Sequence, residues 1–157
     1  KKNLKQLSYK LILPLSLLSI IIFNKWWFAI PIDAPDTVLW GFPFIFMAEA
    51  WHTSGALQFF ILPFFANLCL IFLSWLLLFA GIHHFYKKIA LPKFLLFSLW
   101  TLTSIFLLGS ALLIFNSNNL FYINRPFQIK MLDSGYHLIW QKTSRPKIED
   151  YKNVPSL

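Results

Sequence analysis

The chain has 157 residues, of which 57% are hydrophobic, 19% aromatic and only 13% charged. That is too little charge to clothe a water-soluble domain of this size, which excludes a large soluble enzyme and points to an integral membrane protein. The net charge of +8 does not imply nucleic acid. The basic residues flank apolar runs, no basic-aromatic nucleic-acid motif is present, and attraction to anionic lipid headgroups accounts for them.

Three apolar runs are long enough for a bilayer, which takes about 20 residues of helix. The first covers about 11–30. Lys10 edges it on one side and Trp26 and Trp27 on the other, where indoles prefer the headgroup layer and Lys25 can extend its amine outward. Its basic front is like a signal peptide, but Asn24-Lys25-Trp26-Trp27 lacks a small-residue cleavage pattern, so a retained helix is expected. Residues 31–55 open on the acidic turn PIDAPD and continue through an apolar piece too short to span. Gly41 and Pro43 oppose one regular helix there, which predicts an interfacial or re-entrant segment.

The second crossing is expected over about 56–82, with Thr53 or Ser54 as its cap. At roughly 40 Å it exceeds the hydrocarbon thickness and would tilt. The third is expected over about 94–115 and stops at Asn116-Ser117-Asn118-Asn119. In the extramembrane tail, 116–157, Phe127, Ile129 and Met131 alternate with Gln128 and Lys130. With the turn-like DSG and then YHLIW this reads as a short β-hairpin, followed by the loose end RPKIEDYKNVPSL. The fold class expected is thus an all-α membrane protein: three transmembrane helices in a membrane domain over 1–115, a segment before the second helix that does not span, and a hairpin-like tail.

Lysine placement sets the orientation. Lys1, Lys2, Lys5 and Lys10 precede the first run, and Lys87, Lys88 and Lys93 follow the second, whereas 31–55 holds neither lysine nor arginine. The expected location is the bacterial inner membrane, with the N-terminus cytoplasmic and the C-terminus periplasmic.

Ala56, Pro63, Asn67, Ser74 and Gly81 fall on a helical stripe about 40° wide, the small and polar kind of face through which membrane helices approach one another. This predicts a packing seam within the chain or against another subunit. On the third helix Ser98, Thr101, Ser104, Gly109 and Ala111 gather on a broader face, with Thr103 and Ser110 elsewhere. Neither crossing holds an ionisable Asp, Glu or Arg in its interior, which argues against a carrier. Cys69 is expected to be a buried apolar thiol.

Glu49 and His52 would share a face on a helical turn, where the carboxylate would fix the imidazole tautomer for general-base or metal work, with Ser54 as a nearby nucleophile. No second Glu-x-x-His accompanies them, so no metal site is assigned. The bland reading is a helix-entry loop, a polar cap with Trp51 and the nearby phenylalanines at the interface, and a middle reading makes Gly41, Pro43, Glu49, Trp51 and His52 an outward docking or lipid-headgroup site. His83 and His84 attract attention as haem ligands, but adjacent helical residues point about 100° apart and cannot clasp one iron from opposite sides.

The run GFPF, Gly41–Phe44, then HTS, His52–Ser54, then a phenylalanine-rich crossing resembles a group of uncharacterised small bacterial inner-membrane proteins. These have a Gly-aromatic-Pro loop and a His-Thr/Ser-Ser entry to a transmembrane helix. The resemblance implies a bacterial membrane protein whose outward loop matters, and carries no reaction with it. The expected function is a non-enzymatic accessory or structural subunit of an inner-membrane complex, with the bilayer and other membrane subunits as partners and no cofactor. The alternatives are a small redox or metal-dependent membrane enzyme using Glu49 and His52, with haem as its possible cofactor, and a lipid- or quinone-binding module.

Overall fold

The computed structural model describes residues 7–32, 34–85, 92–138 and 145–151. The chain divides into two compact units: Lys1–Ile22 with Phe65–Asn116, and Phe23–Phe64 with Ser117–Leu157.

The first unit is helical. A π-turn, Ser8–Ile12, leads into α1, Leu13–Ile22. Helix α2 runs Ile61–Phe85, its first turn lying in the second unit, and α3 runs Lys93–Ile114. Pro63 stands in the first turn of α2, where its missing N–H leaves no bond unmade. Buried hydroxyls are satisfied locally: Ser16 donates to the Ile12 carbonyl (2.7 Å) and Thr103 to that of Leu99 (2.8 Å). Helix α1 packs against α3. Two indole N–H groups add links to the N-terminal segment, Trp75 to the Ser19 hydroxyl (3.0 Å) and Trp100 to the Lys10 carbonyl (3.1 Å).

Among the described residues, α2 and α3 are the helices long and apolar enough to cross a membrane. The apolar stretch ending at Ile22 begins at Ser8, about 22 Å of helix against a hydrocarbon core of about 30 Å. The helix expected over 11–30 therefore stops short, and Phe23–Pro31 forms strand β1 instead. Its aromatic-rich sequence, FNKWWFAIP, suits a pleated surface, and the Asn24 side chain takes up the Lys25 N–H (2.9 Å), a local bond that competes with helix.

The second unit overturns the all-α expectation. Six strands form one mixed sheet in the order β5-β4-β3-β2-β1-β6. They are β1, β2 (Thr37–Trp40), β3 (Met47–Glu49), β4 (Leu57–Phe60), β5 (Leu120–Tyr122) and β6 (Ile129–Leu138). The segment expected to lie at the membrane interface, 31–55, supplies β2 and β3. The expected second helix gives its first residues, Leu57–Phe60, to β4. Strands β1 to β4 form an antiparallel meander, and β5 joins β4 in parallel.

The expected tail hairpin is also corrected. Ile129–Leu138 is one strand, paired along its length with β1 from Phe23↔Leu138 to Pro31↔Ile129, with an irregularity beside Phe28 and Ala29. The DSG motif lies inside this strand rather than at a turn. A Cβ at Gly135 would come within 2.8 Å of the Trp26 indole, so that glycine admits a ring.

Strand alternation gives the sheet two covered faces. On one, Ala29, Leu39, Ala48 and Phe60 form the core, with Trp27, Phe127 and Ile129 against it. The connection from β5 to β6 joins opposite edges of the sheet, and its Phe127 ring packs on Trp51 (4.9 Å) and Phe60 (6.0 Å). On the other face Phe28 is fully buried and meets Tyr151 (5.6 Å), whose hydroxyl donates to Asp133 (2.6 Å). The described part of the end expected to be loose, 145–151, is thus docked on the sheet.

Gly41 is required at the turn after β2. Its φ is +147°, and a Cβ there would lie 2.7 Å from both Ile45 Cα and Phe46 N, backbone atoms that cannot swing away. Gly55 also has positive φ (+78°) but faces open space. Gly41→Ala is expected to cost roughly 2–4 kcal/mol, against about 1 kcal/mol for Gly55→Ala. Denaturant midpoints in detergent, followed by tryptophan fluorescence, measure both.

Candidate functional site

The residues singled out from sequence disperse. Glu49 ends β3 and Ala56 immediately precedes β4, so neither is on a helix. Glu49 pairs with Arg145 (3.2 Å), while the His52 Nε2 lies 3.1 Å from the Asn118 carbonyl oxygen. A carbonyl only accepts, so this bond puts a proton on Nε2. Glu49 and His52 thus have separate partners, and the general-base dyad drawn on a helical turn loses its geometric basis. Ser54 is exposed in the turn 51–55, and the Trp51 ring is engaged with Phe127. Gly41 and Pro43 belong to the tight turn after β2, where the Phe42–Pro43 peptide is cis.

Of the proposed seam, Asn67 is fully buried, whereas Ser74 is exposed and its hydroxyl donates to the Leu70 carbonyl (2.8 Å). A Cβ at Gly81 would meet nothing within 4 Å. On α3 the broad face of Ser98, Thr101, Ser104 and Gly109 is exposed, and Thr103, assigned elsewhere, is the buried residue. Cys69 is exposed rather than buried. His83 and His84 lie in the last turn of α2, where His84 packs edge-on to Phe85 (5.0 Å) and the buried Nδ1 of His83 has no hydrogen-bond partner among the described residues. Among the described residues no three His, Cys, Asp or Glu side chains gather as metal ligands.

Two clusters in the sheet unit emerge from the structure. In the first, Arg145 faces the carboxylates of Glu49 (3.2 Å) and Asp36 (3.6 Å) and donates to the Asp36 carbonyl (3.2 Å). This fastens the 145–151 segment to the sheet and borders a cleft of about 290 Å³ with Lys147 and Glu149. In the second, the Lys25 ammonium lies 3.7 Å from the Trp27 ring centre and 5.6 Å from that of Tyr136. Phe23, Phe42 and Tyr136 close a three-ring cluster beside it. Elsewhere, partial burial holds the Arg125 guanidinium pKa below its ordinary value, while its Nε donates to the Phe127 carbonyl (2.9 Å).

Nothing local in the sequence marks either cluster. Arg145 is far along the chain from Asp36 and Glu49, and Lys25 meets Tyr136 only through the β1–β6 register. The alternation of Phe23, Lys25 and Trp27 puts these three on one strand face, but it brings in neither Tyr136 nor Phe42.

No protein-family model matches the chain, and neither a curated protein nor a solved structure matches it.

The Arg145 pairs are partly solvated, with side-chain exposures of 54% for Arg145 against 30% for Asp36 and 36% for Glu49, so water screens them. A double-mutant cycle with Arg145→Gln and Glu49→Gln is expected to give a coupling of about 1 kcal/mol or less, shrinking further at high salt. Unfolding midpoints at low and high ionic strength check this.

Proposed function

We propose that the chain is an accessory or structural subunit of a bacterial inner-membrane complex, anchored by α2 and α3 and docking through its sheet unit. The observation that supports the membrane part of this reading is the pairing of β4 with β5. Strand β4 runs directly into α2, and β5 follows shortly after α3. Two crossings return a chain to the side it left, so two helices through the bilayer would bring both strands to one side, where they can pair. In the sequence Lys87, Lys88 and Lys93 fall between and at the start of the two spans, which favours the cytoplasm for that connection, and the reading accordingly puts the sheet on the periplasmic side.

The subunit role is supported by what the chain leaves uncovered. Only 6% of the most apolar window of each span is buried. Lipid can cover such a surface, but Gly81 and Gly109 present outward positions where small residues allow another helix close approach.

Substitution at these glycines separates the possibilities, because among the described residues a side chain there would meet nothing within 4 Å. Gly81→Leu and Gly109→Leu are expected to leave the isolated chain's unfolding midpoint nearly unchanged while dissociating the assembly isolated in mild detergent. Size and mass identification of everything co-purifying provide the readout. A monodisperse monomer with no companion before substitution would end the reading.

A further inference from the structure

The second cluster points to a ligand. Phe23, Lys25 and Trp27 alternate along β1 and so share a face, and Tyr136 is the direct partner of Lys25 on β6. Tyr136 stacks on Phe23 (5.4 Å), while Phe42 meets Tyr136 (5.7 Å) and Phe23 (5.9 Å) edge-on. Large rings normally leave water, yet Phe23 is 41%, Phe42 37%, Phe44 49% and Tyr136 58% exposed. The Trp27 N–H is spent on the Gly41 carbonyl (2.9 Å), so its contribution to the cluster is its face, on which the Lys25 ammonium rests.

That ammonium has no carboxylate partner among the described residues. The ion pairs found there belong to Arg145, which is already neutralised by Asp36 and Glu49. Lys25 is thus a cation held in place by rings, with its donors directed to no acidic side chain among the described residues. Phe23 follows Ile22, the last residue of an apolar helix, without an intervening loop. A lysine among exposed aromatic rings, continuous with an apolar helix end, is the chemistry of the bilayer's headgroup layer. There rings sit among glycerol and upper acyl groups, and an ammonium binds phosphate through charge-assisted hydrogen bonds.

We propose that the Phe23–Phe42–Tyr136 patch lies in the headgroup layer of the periplasmic leaflet and that Lys25 binds the phosphodiester of a phospholipid there. The proposal rests on the membrane reading above, and its test tells the two apart. Single cysteines are introduced at positions 42, 136, 77 and 148 in a Cys69→Ala background, and the full chain is reconstituted in vesicles of phosphatidylcholine and phosphatidylglycerol. Labelling by a membrane-impermeant maleimide is measured on protein whose sheet side faces outward. Leu77 lies on α2 and Ile148 on the docked C-terminal segment. Positions 42 and 136 are expected to react at least about tenfold more slowly than 148, as is 77. Fast labelling at 77 overturns the membrane reading and this inference with it. Slow labelling at 77 with fast labelling at 42 and 136 overturns this inference alone.

The phosphate contact is read separately. Short-chain phosphatidylglycerol is expected to raise the unfolding midpoint of the wild-type chain and of Lys25→Arg in a neutral detergent, with at least half of that shift lost in Lys25→Gln. An equal shift with inorganic phosphate, or an undiminished shift in Lys25→Gln, overturns the assignment to a lipid.

Discussion

The pairing of β1 with β6 is the interaction on which the sheet unit depends. Phe23–Pro31 leaves the helical unit as an extended stretch whose backbone donors and acceptors need partners, and β2 satisfies only one of its edges. Strand β6 satisfies the other over its full length. Burying an apolar strand with one edge unpaired would cost a desolvation penalty at each orphaned amide. With β6 in place Phe28 and Ala29 are fully buried, Trp26 finds the space above Gly135, and Tyr136 is brought beside Lys25.

From that register the rest of the C-terminal segment gains its contacts. Asp133, carried on β6, accepts from Tyr151, and Tyr151 lies against Phe28. Arg145 then bridges to Asp36 before β2 and to Glu49 at the end of β3. These ion pairs are partly wet and contribute little energy on their own. Their value is positional, since they fix which part of the sheet the segment covers. Glu49, attractive in the sequence as a general base, is in this arrangement a fastening point.

The sequence was legible where one signal dominated. The third apolar run matches α3 to within a residue at each end, because a basic residue opens it and turn-forming asparagines close it. The alternation of Ile129 and Met131 marked a strand correctly. Hydropathy failed where strand and helix are equally apolar. Trp26, Trp27 and Phe28 prolonged the first run, and Leu57–Phe60 prolonged the second, because a buried strand and a buried helix look alike in a hydropathy window. The glycine of DSG has the look of a turn former in the sequence, although its missing side chain serves a ring on the neighbouring strand. The two side-chain clusters lay beyond local reading, since both are products of long-range register.

Strand order also dictates a sequence of events during synthesis. The meander β1–β4 is made first and ends in two bare edges, at β4 and at β1. Both are capped only by the last-made strands, β5 on one flank and β6 on the other. Exposed edges invite pairing with foreign chains. A nascent chain therefore carries an adhesive half-sheet until the polypeptide beyond α3 has been made, and that interval is when its edges are open to foreign strands.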